Sequence, residues 1–176
     1  VTQALAYLGS LALNPQMRFE DKSYLEELPV AEVTGLARRC YQEEIAPRVS
    51  RKGVNCVLEH QDRGHAVVLL TGSLTFLLLP LKEDLAAEWL IATEVGRDEG
   101  RFTGKIKGML PRGQNKLRLL LDLALAQGFD LARSYAYGDH IQDLYLFRSI
   151  GHPVAVNPSW RLKLQARRRR WPIRYF

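Results

Sequence analysis

The stretch Ala66-Val67-Val68-Leu69-Leu70-Thr71-Gly72-Ser73 decides the fold. Its first five residues are all apolar and show no polar alternation, which predicts a strand buried on both faces, as in the interior of a parallel sheet. Thr71-Gly72-Ser73 closes that strand, and Leu74 to Leu81 opens a helix. The apolar run ends at Pro80-Leu81 and falls short of the ~20 residues a membrane span requires. Downstream, Trp89-Leu90-Ile91-Ala92 predicts a second short strand. Glu94 to Gly108 predicts a hairpin: Arg97-Asp98-Glu99-Gly100 supplies the turn, and Phe102, Gly104, Ile106 and Gly108 alternate with polar residues. Asn115 to Gln127 reads as an amphipathic helix stopped by Gly128. Ser134-Tyr135-Ala136-Tyr137 is a third strand ended by Gly138-Asp139, Ile141 to Ile150 a helix, Pro153-Val154-Ala155-Val156 a fourth strand, and 160–170 a basic helix. Upstream, Leu25 to Ile45 and Val49 to Gln61 read as helices, with Pro29 as a break or first-turn residue. Strands alternating with helices from residue 66 argue for an α/β fold, a parallel sheet flanked by helices.

Of the 176 residues, 47% are hydrophobic and 25% charged, which excludes a disordered or fibrous chain. The net charge of +6 is local: residues 161–176 hold seven bases and no acid, so residues 1–160 carry 18 minus 19, or −1. The Arg167–Arg170 run therefore reads first as a solvated helix face or tail, and nucleic acid is the weaker partner reading. Cys40 and Cys56 form no C-x-x-C and read as idle thiols of a reducing cytoplasm. Residues 1–17 carry no charge and so no basic n-region, which argues against a signal peptide and for a cytoplasmic location. The first residue is Val1, which fits a non-standard start, processing or a missing upstream segment. His60 and His65 flank a turn at poor metal spacing and are expected to face solvent.

In an open parallel sheet, ligands bind beyond the carboxyl ends of the strands. Thr71 falls at one such end and Asp139 at another, with Asp143 four residues on; Lys116 begins the intervening helix in Gly113-Gln114-Asn115-Lys116. One hydroxyl, one cation and two carboxylates suit a phosphate beside a hard cation such as Mg²⁺. Each also has a plain structural reading. Thr71 and Asp139 can cap helices, Lys116 can be solvated, and Asp143 can be a first-turn acid.

Taken in order, Val67 to Ser73, Glu99-Gly100-Arg101-Phe102-Thr103-Gly104, Lys116, Ser134 to Asp143, Gly151-His152-Pro153-Val154-Ala155-Val156-Asn157-Pro158 and Trp171-Pro172-Ile173 resemble the haloacid dehalogenase (HAD) superfamily, and within it the subfamily IB hydrolases that include phosphoserine phosphatase. The resemblance runs from about residue 45 to the end. It implies a HAD-like Rossmannoid parallel sheet with flanking helices, a β-hairpin flap and a partial helical cap. Residues 1–48 would be the cap region and 49–176 the α/β core. It further implies a Mg²⁺-dependent phosphatase acting on a small phosphorylated metabolite. Thr71 and Gly72 would bind the phosphoryl group and Lys116 would neutralise its charge. Asp139 would be a metal ligand and Asp143 would support the metal site.

The same resemblance exposes departures. The family's first motif is a strand followed by D-x-D-x-T, whose first Asp is the nucleophile and second the general acid/base. No D-x-D occurs in these residues; Asp21, in Phe19-Glu20-Asp21-Lys22-Ser23, follows no apolar strand, and Val1 to Leu13 is apolar without a carboxylate. In the family that strand separates the strands ending in Thr71 and Asp139. The expectation is a phosphatase scaffold that is inactive or incomplete, with open strand edges that invite self-association. The alternative is a non-catalytic HAD-like module, or a truncated gene product, that binds a partner. Gln142 stands where the family often has Asn, His140 is an unusual neighbour for Asp139, and no serine-binding residue is matched.

Overall fold

The computed structural model describes residues 21–176. Val1 to Leu13, which could supply a strand, and the first part of the expected cap region lie outside the described residues.

Six strands form two three-stranded sheets. In the first, β1 (Val68–Leu74) pairs in parallel with β2 (Trp89–Asp98), and β2 pairs antiparallel with β3 (Arg101–Lys107). In the second, β4 (Tyr135–Gly138), β5 (His152–Val156) and β6 (Ile173–Arg174) are all parallel. The parallel α/β architecture agrees with the sequence, with three differences: β1 runs on through Thr71-Gly72-Ser73, the expected close of the strand, to Leu74, and two others concern the later strands. Trp89–Ala92 and the first arm of the hairpin are one continuous strand, and Ile173–Arg174 adds a strand that no sequence pattern indicated. Among the described residues β1 and β4 are each an edge strand of their own sheet and do not pair with one another.

The hairpin turns at Glu99 and Gly100, whose φ angles of 43° and 76° match the twist of the flanking strands. Its second arm carries the upstream segment. Glu27 N–H donates to Phe102 O at 2.9 Å, Phe102 N–H to Leu28 O at 3.0 Å, and Val30 N–H to Gly100 O at 2.9 Å. Gly104 lies on β3 where a Cβ would sit 3.1 Å from Ser23 Cα, so only glycine lets this segment lie flush.

The helices are α1 (Val30–Cys40), α2 (Arg51–Asp62), α3 (Thr75–Asp84), α4 (Gln114–Gln127), α5 (Leu144–Arg148) and α6 (Trp160–Arg169). Pro29, extended at φ −61° and ψ 126°, starts α1, and Ser50 caps α2 by accepting from Gly53 N–H at 3.4 Å. A π-helical turn, Tyr41–Ile45, follows α1. Its Tyr41 hydroxyl donates to Asp84 Oδ2 at 2.5 Å, and burial with that carboxylate pushes the phenol up to about 12.

The described residues form two apolar cores, and Val68 and Leu70 of β1 pack against the second of them. Leu25, Ala37, Leu74, Phe76, Val95 and Phe102 form one, with the Phe76 and Phe102 rings 5.3 Å apart. The other joins Leu120, Ala136, Phe147, Ala155, Leu162 and Ala166. Leu162 and Ala166 lie one turn apart on α6 and are fully buried, which leaves Arg167 and Arg168 on its exposed face. None of the described helices is long and apolar enough to cross a membrane.

Candidate functional site

A cavity of about 700 Å³ runs between the two sheets. β1 and its approach line one wall from His65 to Thr71, and Ser134 to Tyr137 line the other. The walls are mostly apolar. Three of the five expected site residues, Thr71, Lys116 and Asp143, line this cavity together.

Lys116 and Asp143 form its charged end. Lys116 Nζ lies 2.6 Å from Asp143 Oδ1, with the two side chains 18% and 7% exposed. The positions are 27 apart in sequence, and the fold brings them together because α4 and the 3₁₀ turn Ile141–Asp143 both pack at the carboxyl end of β4. Gly138, the last residue of β4, permits this: a Cβ there would lie 2.7 Å from Asp143 Oδ2. The sequence marks Gly138 as a strand end; that it also makes room for the Asp143 carboxylate is visible only in the fold.

Thr71 Oγ1 accepts from Ser73 N–H at 3.1 Å, which turns its oxygen inward on its own loop. Gly72 does not line the cavity; its carbonyl accepts from the buried Thr93 hydroxyl at 2.7 Å, and its α-carbon faces Pro111 O. Asp139 is exposed and stands outside the cavity lining, with its carbonyl accepting from Ser159 N–H at 2.7 Å. Gln142 is held by Arg112, whose Nε donates to Gln142 Oε1 at 3.1 Å, tying the loop after the hairpin to the Asp139–Asp143 segment.

These donors do not by themselves make a full Mg²⁺ shell. Mg²⁺ demands near-octahedral oxygen ligation. The described residues contain no group of three or more His, Cys, Asp or Glu able to hold a metal, and Asp143 Oδ1 is already taken by Lys116. Asp139 and the second oxygen of Asp143 are what this chain offers.

His65 is exposed, as expected, but His60 is not simply solvent-facing. His60 is half-buried against the far end of the cavity, its Nε2 2.8 Å from the Tyr137 hydroxyl and its Nδ1 2.9 Å from His65 Nδ1. Burial, with the charges of His65 and Arg63, lowers the His60 pKa below the ordinary histidine range. His60 thus ties α2 to β4 and to the approach to β1. Cys56, one turn earlier on α2, is buried and unpaired, and Cys40 is exposed.

Parallel strands whose carboxyl ends gather a hydroxyl, an ammonium and a carboxylate beside an apolar cleft define a Rossmann-like α/β protein with a ligand site at the usual edge. The comparisons give the family. The model for haloacid dehalogenase-like hydrolases matches residues 3–148, and the chain belongs to that family. It is 33% identical over 145 residues to an inhibition of morphological differentiation protein of Streptomyces azureus, covering 82% of this chain and 52% of that protein. It is 31% identical over 154 residues to a phosphoserine phosphatase of Mycobacterium tuberculosis, covering 88% of this chain and 50% of that protein. Among solved structures, a Bordetella pertussis protein of unknown function superposes with a TM-score of 0.78 at 27% identity, covering 82% of this chain and 66% of that one. The chain spans about half the length of the first two relatives.

Proposed function

We propose that this chain carries the phosphate-handling half of a phosphatase for small phosphomonoesters, and that it is inactive until a carboxylate nucleophile enters the cleft between β1 and β4. The observation that supports this most directly is the Lys116–Asp143 pair of 2.6 Å at the head of a cleft that also presents Thr71. Phosphoryl transfer needs positioning and neutralisation of charge on the transferring oxygens. The Thr71 hydroxyl donates to one of those oxygens. Lys116 faces the remaining charge, paired with Asp143 beside it. An apolar strand laid between the two open edges would complete the sheet and bring an aspartate to the phosphorus. The alcohol leaves as the aspartyl-phosphate forms, and water later releases phosphate. Mg²⁺ would add electrostatic stabilisation of phosphoryl charge, held by Asp139 and Asp143 together with a donor from that strand. Residues 21–48, bonded to the hairpin, serve as part of the cap.

The test is a fusion that places an apolar strand and D-x-D-x-T ahead of the 176 residues. Expected results are p-nitrophenyl phosphate hydrolysis with Mg²⁺ in the fusion, its loss in Lys116→Met and Asp139→Ala fusions, and no turnover by the 176-residue chain. Turnover by the unfused chain, abolished by Asp139→Ala, would refute the missing-nucleophile reading. A folded fusion without turnover would refute the phosphatase reading.

A further inference from the structure

A second cavity, of about 730 Å³, opens around the beginnings of β4 and β5. Arg148 from the end of α5, Arg169 and Arg170 from the end of α6, Arg174 from β6 and His152 from the start of β5 line it, and no Asp or Glu does. Among the described residues the ion pairs are Arg38–Glu83, Arg48–Glu44 and Lys116–Asp143, so none of these four guanidiniums has a carboxylate partner.

Helix dipoles favour cations in a last turn and account for Arg148 and Arg169. They do not account for Arg174, which stands on a strand. Arg170 sits beyond the helix in a left-handed conformation at φ 58°, a backbone state disfavoured for a side chain of this kind. Four like charges around one concavity repel one another, and a bound polyanion relieves that repulsion. Guanidinium forks match phosphate oxygens in pairs.

The cavity also offers a flat aromatic surface. The exposed His152 ring ends a column of rings: it stacks on Tyr135 with centroids 4.6 Å apart and planes 23° from parallel, and Tyr135 in turn stacks on His65 at 5.9 Å and 22°. Trp171 also lines the cavity, with the Arg169 guanidinium 5.4 Å from its ring centre. Planar rings beside uncompensated guanidiniums suit a ligand with both a base and a phosphate chain.

We propose that this cavity binds a nucleotide, with the phosphate chain on Arg148, Arg170 and Arg174 and the base on the Tyr135–His152 stack. Lys116, Asp143 and Thr71 do not line this cavity, although Tyr135 and Tyr137 border both it and the cleft between the sheets, and the proposal does not depend on the phosphatase reading.

Titration with a fluorescent methylanthraniloyl-ADP at low salt tests it, with unlabelled ADP and tripolyphosphate as competitors. Expected results are saturable binding that weakens at least tenfold in Arg148→Ala/Arg174→Ala and in Tyr135→Ala, and better competition by ADP than by tripolyphosphate. Lys116→Gln and Thr71→Val, which alter the cleft between the sheets, should leave the affinity unchanged. All of the Arg and Tyr side chains replaced are exposed, so circular dichroism should show the fold intact. Absent binding, or affinity unchanged by the arginine pair, would overturn the proposal. Equal competition by tripolyphosphate would overturn the nucleotide assignment, and loss of binding in both Lys116→Gln and Thr71→Val would place the ligand in the other cleft and overturn it as well.

Discussion

Replacing Lys116 by Met should destabilise the chain far more than an exposed lysine would. The ammonium lies 2.6 Å from an Asp143 carboxylate whose side chain is 7% exposed. Without it that carboxylate stays buried with no cation beside it. Breaking a buried pair by removing one partner costs about 3–5 kcal/mol. Because the Lys116 side chain retains 18% exposure, water partly solvates the site and the lower figure applies, about 3 kcal/mol. At roughly 2–4 °C per kcal/mol for a chain of this size, the midpoint of thermal unfolding should fall by about 6–12 °C. Lys116→Met/Asp143→Leu removes both charges and fills the space with apolar atoms, so it should recover most of the loss. Differential scanning calorimetry of parent, single and double variants at pH 7 measures this. A single variant melting within about 1 °C of the parent, or a double variant as unstable as the single, would refute the argument that the pair is a buried, mutually dependent unit.

Three further outcomes follow from the same geometry. Gly138→Ala should cost about 1–3 kcal/mol, because its Cβ would meet Asp143 Oδ2 at 2.7 Å and force the carboxylate off Lys116; urea unfolding midpoints check it. The open edges of β1 and β4 should drive concentration-dependent association, seen by sedimentation velocity, and the fusion carrying a strand should sediment as a monomer; a monomer at every concentration without that strand would contradict the open-edge reading. His60 titrates below its ordinary value in the folded chain, so the unfolded chain takes up that proton first. Its contribution is therefore complete above about pH 6.5 and is lost as pH falls below it. Urea midpoints at pH 7.5 and 5.5 should show that loss in the parent and a smaller one in His60→Gln.

The apolar run at Ala66–Leu70, the helix stopped at Gly128 and the short strands before Asp139 and Asn157 could each be read from the chain, because each is a local pattern of burial bounded by a turn residue. The same pattern puts Thr71 and Asp139 after apolar strands, Lys116 at the start of a helix and Asp143 four residues past Asp139, all legible from local sequence. Other features have no such pattern. β6 is two residues long, too short for any period to show, and it is a strand only because Ala155 and Val156 present an edge to it. The joining of residues 27–30 to the hairpin is made by backbone groups, which carry no residue-specific signature. His60 read as a surface residue because spacing alone could not show that α2 packs where Tyr137 meets it.

The sequence by itself therefore determined the elements, their alternation and the residue types at the strand ends, since those depend on neighbours a few positions away. Only the tertiary structure decided that Lys116 and Asp143 pair while Asp139 stays exposed, and that the sheet divides in two between β1 and β4. The physical reason is that pairing across 27 residues and the order of strands in a sheet depend on which surfaces the whole chain brings into contact, which no local pattern of residues records.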